Sequence, residues 1–504
     1  MSFVELLSRL GGMGRFQVTY VAALAVPLLM LASHNLLQNF TAGIPEHHCR
    51  PRPAANATDV PLLVSIPWDG HRRPQSCRRY VEPQWHLLDV NGSANGTATE
   101  AATEPCHDGW TYLDGTFTDT IVTEWDLVCD SKKLRQVAQS IYMAGILLGS
   151  ILFGILSDKF GRRALLTWCY LQLGATGVGT AAAPSLLVYC VCRFLTGLAM
   201  AGVSLNSASL SAGNPPNTRI PLAPQFGVLW GAVGGRGGFE TPRCHLAPPR
   251  LYVESARWQV TSGRPDLALR GLRKVARVNG RKEEGDKLSE EALRALVRRE
   301  PPLPGGAVAA LVRTPGMRTV SCGVSFVWFS TSFAYYGLAM DLQGFGFNVY
   351  LSQVVFGAVD IPAKLLSVLV ISCLGRRLAQ GGSLALAGLC ILANIFVPSE
   401  LPMLRMAFAV VGKGALAASF NCAYIFTGEL FPTVIRQTGM GLGGTMARVG
   451  SMVAPLVRML ADVTPVLPLV IYGAAPIVSA VATCFLPETR NAPLPETVKD
   501  VERR

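Results

Sequence analysis

Charge is what this chain has least of. Of its 504 residues only 15% are Asp, Glu, Lys or Arg, against about 25% in an ordinary soluble domain. That is too little to wet the surfaces of the two or three soluble domains such a length would form. A soluble enzyme, a fibrous protein and a disordered chain are excluded. A Gly-x-x-x-x-Gly-Lys-[Ser/Thr] phosphate loop is also missing, which disfavours a nucleotide-driven pump. The cysteines are scattered, without the paired spacing of a zinc site. No enzymatic activity, metal or cofactor is expected.

What the chain does have is apolar residues. They make up half of it, mean hydropathy is +0.33, and they come in blocks near the roughly 20 residues that span a bilayer as helix. The fold class is therefore an all-α polytopic membrane protein. The 45 Lys+Arg against 33 Asp+Glu give a net charge of +12. The cations sit in short clusters between apolar blocks, such as Lys159, Arg162 and Arg163, or Arg376 and Arg377. Such clusters mark cytoplasmic loops, so the lipid bilayer, not nucleic acid, is the expected partner.

The first span is Phe16–Leu37, preceded by Arg9 and Arg15, which puts residues 1–37 down as a cytoplasmic N-terminus and one helix. It is long enough to span and no small-residue cleavage site follows, so a removed signal peptide is not expected. Residues 38–134 are polar and hold four N-x-[Ser/Thr] sequons, at Asn39, Asn56, Asn91 and Asn95. The same segment carries Cys49, Cys77, Cys106 and Cys129. It reads as an extracellular glycosylated loop with two disulfides; three pairings are open.

Residues 135–206 hold three spans, Gln136–Leu156, Ala164–Ala182 and Pro184–Asn206. Residues 207–253 break the pattern, with prolines at 215, 216, 221, 224, 242, 248 and 249. Proline inside a helix costs about 3 kcal/mol, so no spanning helix is expected there. Residues 254–318 are basic, with 14 Lys+Arg against 8 Asp+Glu, and read as a cytoplasmic linker. Residues 319–486 supply six spans: Thr319–Met340, Val349–Cys373, Gly382–Val397, Leu404–Phe426, Gln437–Val457 and Val466–Phe485. Residues 487–504 are a polar tail. The total is ten spans.

Between the second and third spans runs Gly154-Ile-Leu-Ser-Asp158-Lys-Phe-Gly161-Arg162-Arg163. This resembles the signature loop of the major facilitator superfamily. Its glycines permit a tight turn, and Asp158 can sit at a helix start, where the dipole favours an anion. Three further runs resemble the organic anion and cation transporters: Asp114 to Cys129, Trp328 to Gly337, and Thr427-Gly-Glu429-Leu-Phe-Pro432-Thr-Val-Ile-Arg436. Within that family the chain is most similar to the organic anion branch, in an olfactory-type member. The resemblance implies two six-helix halves, a central site and alternating access. It covers the chain except 207–253, so the first half lacks two helices.

Internal repetition agrees. Gly161-Arg-Arg163 recurs as Gly375-Arg-Arg377, and Glu254-Ser-Ala-Arg-Trp258 corresponds to Pro487-Glu488-Thr-Arg490. The repeat partner of Glu429 belongs near position 215, where Gly213-Asn-Pro-Pro-Asn-Thr-Arg219 has no acid. Gly154, Asp158, Gly161, Arg162, Arg163, Arg193, Glu429 and Arg436 are read as the conformational motif.

A carrier of organic anions needs a cation in its cavity, since an unpaired anion at mid-membrane is strongly disfavoured. Arg448 lies mid-span on a helix with no acid, and the family resemblance gives this position to substrate. Lys364 is four residues after Asp360, so it either pairs with that acid or meets substrate; the resemblance favours substrate. Lys413, flanked by glycines, is expected to snorkel. Trp328 and Tyr335, and Phe329 and Tyr336, are seven apart and share helix faces. Together with Phe420 and Asn35 they form the cavity lining that the resemblance implies for flat aromatic anions. The expected function is secondary transport of small organic anions across the plasma membrane, by exchange for a dicarboxylate, with self-association left open. The alternative is a non-transporting product retained in the secretory pathway. If residues 38–134 are extracellular, a glycosidase shifts the gel mobility of the expressed protein, and replacing Asn39, Asn56, Asn91 and Asn95 together abolishes that shift. Unchanged mobility in a well-expressed sample reverses the orientation.

Overall fold

The computed structural model describes, isolated positions apart, residues 34–51, 61–68, 74–85, 101–213, 254–296, 306–340 and 348–502, with a few before residue 21. The span at Phe16–Leu37 lies almost wholly outside them, as do most of 207–253 and the sequons at Asn56, Asn91 and Asn95.

Among the described residues, nine long helices follow one another where the apolar blocks stand. In the first half they are α1 (Lys132–Phe160), α2 (Arg162–Ala181) and α3 (Leu186–Gly213). An amphipathic helix α4 (Pro265–Val278) lies in the linker. The second half has α5 (Pro315–Ala339), α6 (Val349–Leu374), α7 (Arg376–Phe396), α8 (Pro402–Leu430), α9 (Arg436–Arg458) and α10 (Leu467–Thr483). Proline opens α5 and α8, where its missing N–H is no loss. The Asn348 side chain caps α6 by accepting from Tyr350 N–H. Among the described residues, five helices are long and apolar enough to cross a membrane: Cys129–Ser157, Leu186–Ser207, Val349–Leu374, Arg376–Phe396 and Pro402–Leu430. Leu467–Thr483 is apolar but shorter. In the second half α5 packs on α9 and α8, α7 on α8 and α10, and α6 on α8. The linker has a core of its own, in which Leu6 and Leu10 of the N-terminus meet Ala268, Leu272 and Ala276 of α4.

Residues 37–137 form a separate unit. Two short antiparallel ribbons build it: β1 (His47–Cys49) pairs with β4 (Trp110–Tyr112), and β2 (Arg78–Tyr80) with β3 (Thr103–Pro105). The disulfides are Cys49–Cys106 and Cys77–Cys129, which settles the pairing that spacing left open. Arg79, 2% exposed, is held by Glu104 at 2.7 Å and by Asp108. In the Asp114–Cys129 run, Thr120 and Thr123 cap the short helix Ile121–Glu124 reciprocally, and Tyr112 OH donates to Asp126 at 2.8 Å. Asn39 is half-buried within the short helix Gln38–Thr41.

The signature loop does not work as expected. Asp158 falls in the last turn of α1, not at the start of a helix. The anion at the N-terminus of α2 is Glu254, from beyond the gap. It accepts from Arg162 N–H at 3.3 Å and Arg163 N–H at 2.9 Å. In the second half Glu488 accepts from Arg376 N–H at 2.9 Å and Arg377 N–H at 3.0 Å. Gly161 (φ +91°) and Gly375 (φ +94°) precede the two helices, and a Cβ on either would strike the capping carboxylate. A carboxylate brought from far along the chain satisfies orphan N–H groups and the helix dipole better than a local aspartate at a helix C-terminus could. Burial pushes the Glu488 carboxyl up, yet the four backbone N–H groups of Arg376, Arg490, Arg377 and Thr489 outweigh it and hold the carboxyl below the usual range. A depressed carboxyl contributes stability above its unfolded value and loses it as pH falls through the folded one. Glu488→Gln therefore melts below the parent at pH 7, and the gap narrows as pH falls below about 4.3. A gap independent of pH in a thermal scan contradicts this role.

Candidate functional site

Asp360 decides which cations are free. It faces out of α6 toward α8, where Lys413 Nζ donates to its Oδ1 at 2.9 Å. Lys413 Nζ also donates to Phe356 O at 3.0 Å and to Tyr335 OH at 3.2 Å. Tyr335 OH donates to Asp360 Oδ2 at 2.8 Å, and Lys413 Nζ sits 4.5 Å from the centre of the Tyr335 ring. The Lys413 and Asp360 side chains are 1% and 2% exposed. Lys413 does not snorkel. Gly414 beside it allows close approach, since a Cβ there would meet Val359 Cγ1 at 2.9 Å, so α8 comes near enough to α6 for the pair to form.

Lys364 is left without the partner that the i, i+4 spacing offered. It is half-buried, and no carboxylate pairs with it among the described residues. Its backbone is anchored instead, by Asn421 Nδ2 donating to Lys364 O at 3.4 Å and to Ser367 Oγ at 2.7 Å. Arg448 on α9 is half-buried too. Its Nη1 donates to Gly444 O at 2.7 Å, and its Nε is buried with no acceptor among the described residues.

An aromatic cluster is formed by α5 and α8. Phe420 meets Tyr335 edge-on at 5.4 Å and Tyr336 meets Tyr335 at 5.6 Å. Phe329 stacks on Phe333 at 5.6 Å. These rings are half-buried, apart from the buried Phe333. Trp328 belongs to the packing: it is 2% exposed and donates from Nε1 to Thr427 Oγ1 at 3.0 Å. Tyr424, which the sequence reading passed over, lies edge-on to Trp328 at 4.6 Å and is 56% exposed. The pattern could have shown it, four residues after Phe420 on the same helix face. From the first half, Asn35 Oδ1 accepts from Tyr142 OH at 2.8 Å. Tyr142 is buried under Arg193, 4.1 Å from its ring centre, and Tyr336 packs on the same cluster. Arg193 is 1% exposed.

The residues read as the conformational motif, Arg193 apart, lie near helix ends. Arg376 binds Glu429 with Nε and Nη2 at 2.9 and 3.0 Å, and Thr489 Oγ1 donates to the same carboxylate at 2.6 Å. Arg436 donates from Nε to Phe431 O at 3.3 Å. Gly154 O accepts from Ser157 Oγ at 2.9 Å. The Asp158 side chain lies outside the described residues. Among the described residues no group of His, Cys, Asp or Glu is placed to hold a metal.

Residues 92–218 and 251–500 match the family described as Sugar (and other) transporter. The chain is 49% identical over 528 positions to solute carrier family 22 member 6 of Oryctolagus cuniculus, covering all of this chain and 95% of that one. It is 45% identical over 532 positions to member 20 of the same family from Mus musculus, at 100% and 94% coverage. The chain belongs to solute carrier family 22. Solved structures of the E. coli xylose transporter XylE share its fold. The inward-open form matches with a TM-score of 0.53 at 16% identity, over 74% of this chain and 90% of that one. The partially occluded form gives 0.52 at 17%, over 71% and 88%. This solute carrier 22 chain is thus a multi-pass membrane protein of the major facilitator fold, in a family of transporters and not of enzymes, and the resemblance read from its motifs holds.

Removing one member of a buried ion pair costs about 3–5 kcal/mol, whereas replacing both with apolar groups is often neutral. Asp360→Asn should therefore abolish well-folded protein in size-exclusion chromatography, and Asp360→Leu with Lys413→Met should restore it. Failure of the double variant alongside a folded single variant removes the pair as the organiser of α6 and α8.

Proposed function

We propose that the site takes organic anions, aromatic ones best, and exchanges them for a dicarboxylate across the plasma membrane. One observation supports it above the others. Asp360 is spent on Lys413, so Lys364 and Arg448 stand half-buried without a carboxylate among the described residues. A site with two uncompensated cations in a low-dielectric bundle attracts anions and repels cations. Phe420, Tyr335 and Tyr336 offer ring edges and faces to a flat ligand, and tyrosine hydroxyls can donate to its oxygens. The relatives' membership in solute carrier family 22 agrees with a small-molecule carrier.

A second reading rests on the interruption of the family match between 218 and 251. In the second half, α9 and α10 fill the chain between Leu430 and Glu488. In the first half the stretch between Gly213 and Glu254 is shorter and carries seven prolines. Two spanning helices with their connections do not fit it. Alternating access needs both halves to rock about the site. On this second reading the chain is a non-transporting product, inserted and core-glycosylated but held before the cell surface, which keeps most of the family's ligand-site residues.

One experiment tests both readings. The chain is expressed beside a version carrying a related transporter's fifth and sixth helices, each with and without Arg448→Asp. Surface labelling and uptake of a labelled aromatic anion are measured. The repaired chain should take up the anion saturably, and Arg448→Asp should abolish it: at an effective dielectric near 20 a charge at 4 Å is worth about 4 kcal/mol. No uptake by the repaired chain at the surface, or full uptake by its Arg448→Asp form, overturns the first reading. Saturable uptake by the unrepaired chain overturns the second.

A further inference from the structure

The two halves repeat a polar knot, and one of them has a hole in it. In the second half three side chains meet: Arg376 and Thr489 both donate to the carboxylate of Glu429. By the repeat, Arg162 stands for Arg376 and Ser255 for Thr489. Both are in place, because Glu254 caps Arg162 and Arg163 just as Glu488 caps Arg376 and Arg377. Even the minor contacts agree: Ser255 N–H donates to Glu254 Oε1 at 3.0 Å, and Thr489 N–H to Glu488 Oε1 at 2.9 Å. The acid is what is missing. α8 ends on Gly428-Glu429-Leu430, whereas α3 ends on Ser211-Ala212-Gly213.

The two donors show the loss. Arg162 Nε and Ser255 Oγ are buried and have no partner among the described residues, and Ser255 is 0% exposed. Their counterparts, Arg376 Nε and Thr489 Oγ1, are the atoms that grip Glu429. A buried guanidinium N–H and a buried hydroxyl left unmade each carry a desolvation penalty. By the repeat, the two belong at the place where their counterparts converge on Glu429, and with no carboxylate there among the described residues they make a socket with a defined chemistry. An arginine fork takes a planar carboxylate on two oxygens, and the N-terminus of α2 next to it adds its dipole.

We propose that the pair Arg162 and Ser255 is an anion site, filled by a small carboxylate from solution in the place where the second half has Glu429. It is separate from the site formed by Lys364 and Arg448 and does not depend on what that site transports. The full-length chain in detergent is melted in sodium acetate and in sodium chloride at matched ionic strength, with sodium phosphate as a third arm. Acetate at about ten times its dissociation constant should raise the midpoint by about 1 °C over chloride. Arg162→Gln and Ser255→Ala should each remove that rise, while Arg448→Gln should keep it. Ala212→Glu, which puts an acid at the next-to-last residue of α3, should raise the midpoint in chloride and make acetate ineffective. A larger rise in phosphate than in acetate makes a phosphate group the occupant and overturns the carboxylate assignment. A rise that survives Arg162→Gln, or one that vanishes in Arg448→Gln, overturns the site. So does a Glu240→Gln variant that melts lower than the parent in chloride and only then responds to acetate, because the chain's own acid would then be filling the socket.

Discussion

A carboxylate inside a helical bundle in lipid has no water to turn to, so it must find its cation on another helix. Asp360 finds Lys413, and the electrostatics of the central site follow from that choice. Had Asp360 paired with Lys364, one turn along its own helix, the site would have held one cation, with a second buried lysine uncompensated. Pairing across helices ties α6 to α8, brings in Tyr335 as a third member, and leaves Lys364 and Arg448 without a carboxylate among the described residues. The same contact therefore ties two helices together and, on the proposed function, sets the sign of the site. Buried polar networks of this kind hold only if every member is satisfied, and here the Tyr335 hydroxyl, both carboxylate oxygens and the ammonium all are.

The helix ends obey the same constraint by another route. α2 and α7 each begin after a glycine with positive φ, and each N-terminus meets a glutamate that arrives from beyond the rest of its half. The cap can form only when the half has folded back on itself, so it joins the first signature loop of a half to its last connection. In the first half Glu254 keeps this role although the sequence between Gly213 and Glu254 is unlike its counterpart.

Much of this was legible in the chain. Apolar blocks located the nine described long helices with ends off by up to seven residues, because a span must be long and apolar whatever it packs against. The repeat of Gly161-Arg-Arg163 at Gly375-Arg-Arg377, and of Glu254 at Glu488, was visible in the chain, but that these glutamates cap the helices was not; the local spacing pointed to Asp158 instead. Contacts between helices were not legible. The i, i+4 spacing of Asp360 and Lys364 is visible on one helix, while the Asp360–Lys413 pair needs the α6–α8 approach that Gly414 allows. Glycines beside Lys413 suggested room to reach water; their effect is to let a neighbouring helix come close, as small residues do in membrane bundles. Trp328 shows the same limit. Its spacing from Tyr335 puts both on one face, but a helix in a bundle turns one face to several neighbours, and Thr427 claims the indole.

The asymmetry between the halves bears on motion as well as on stability. In a carrier that rocks, knots at the helix ends such as Arg376–Glu429–Thr489 hold one conformation until a ligand's differential binding shifts the balance. A complete knot on one side and, among the described residues, two donors without a partner on the other would make the two halves unequal at the same point of their repeat. On the proposal above, an anion bound at Arg162 and Ser255 would even that stiffness, by an amount that grows with the logarithm of its concentration once the site is filled. A covalently supplied acid cannot do this, since it is always present. The loss of one acid from the first half thus turns a fixed element of the fold into one whose strength depends on the solution around it.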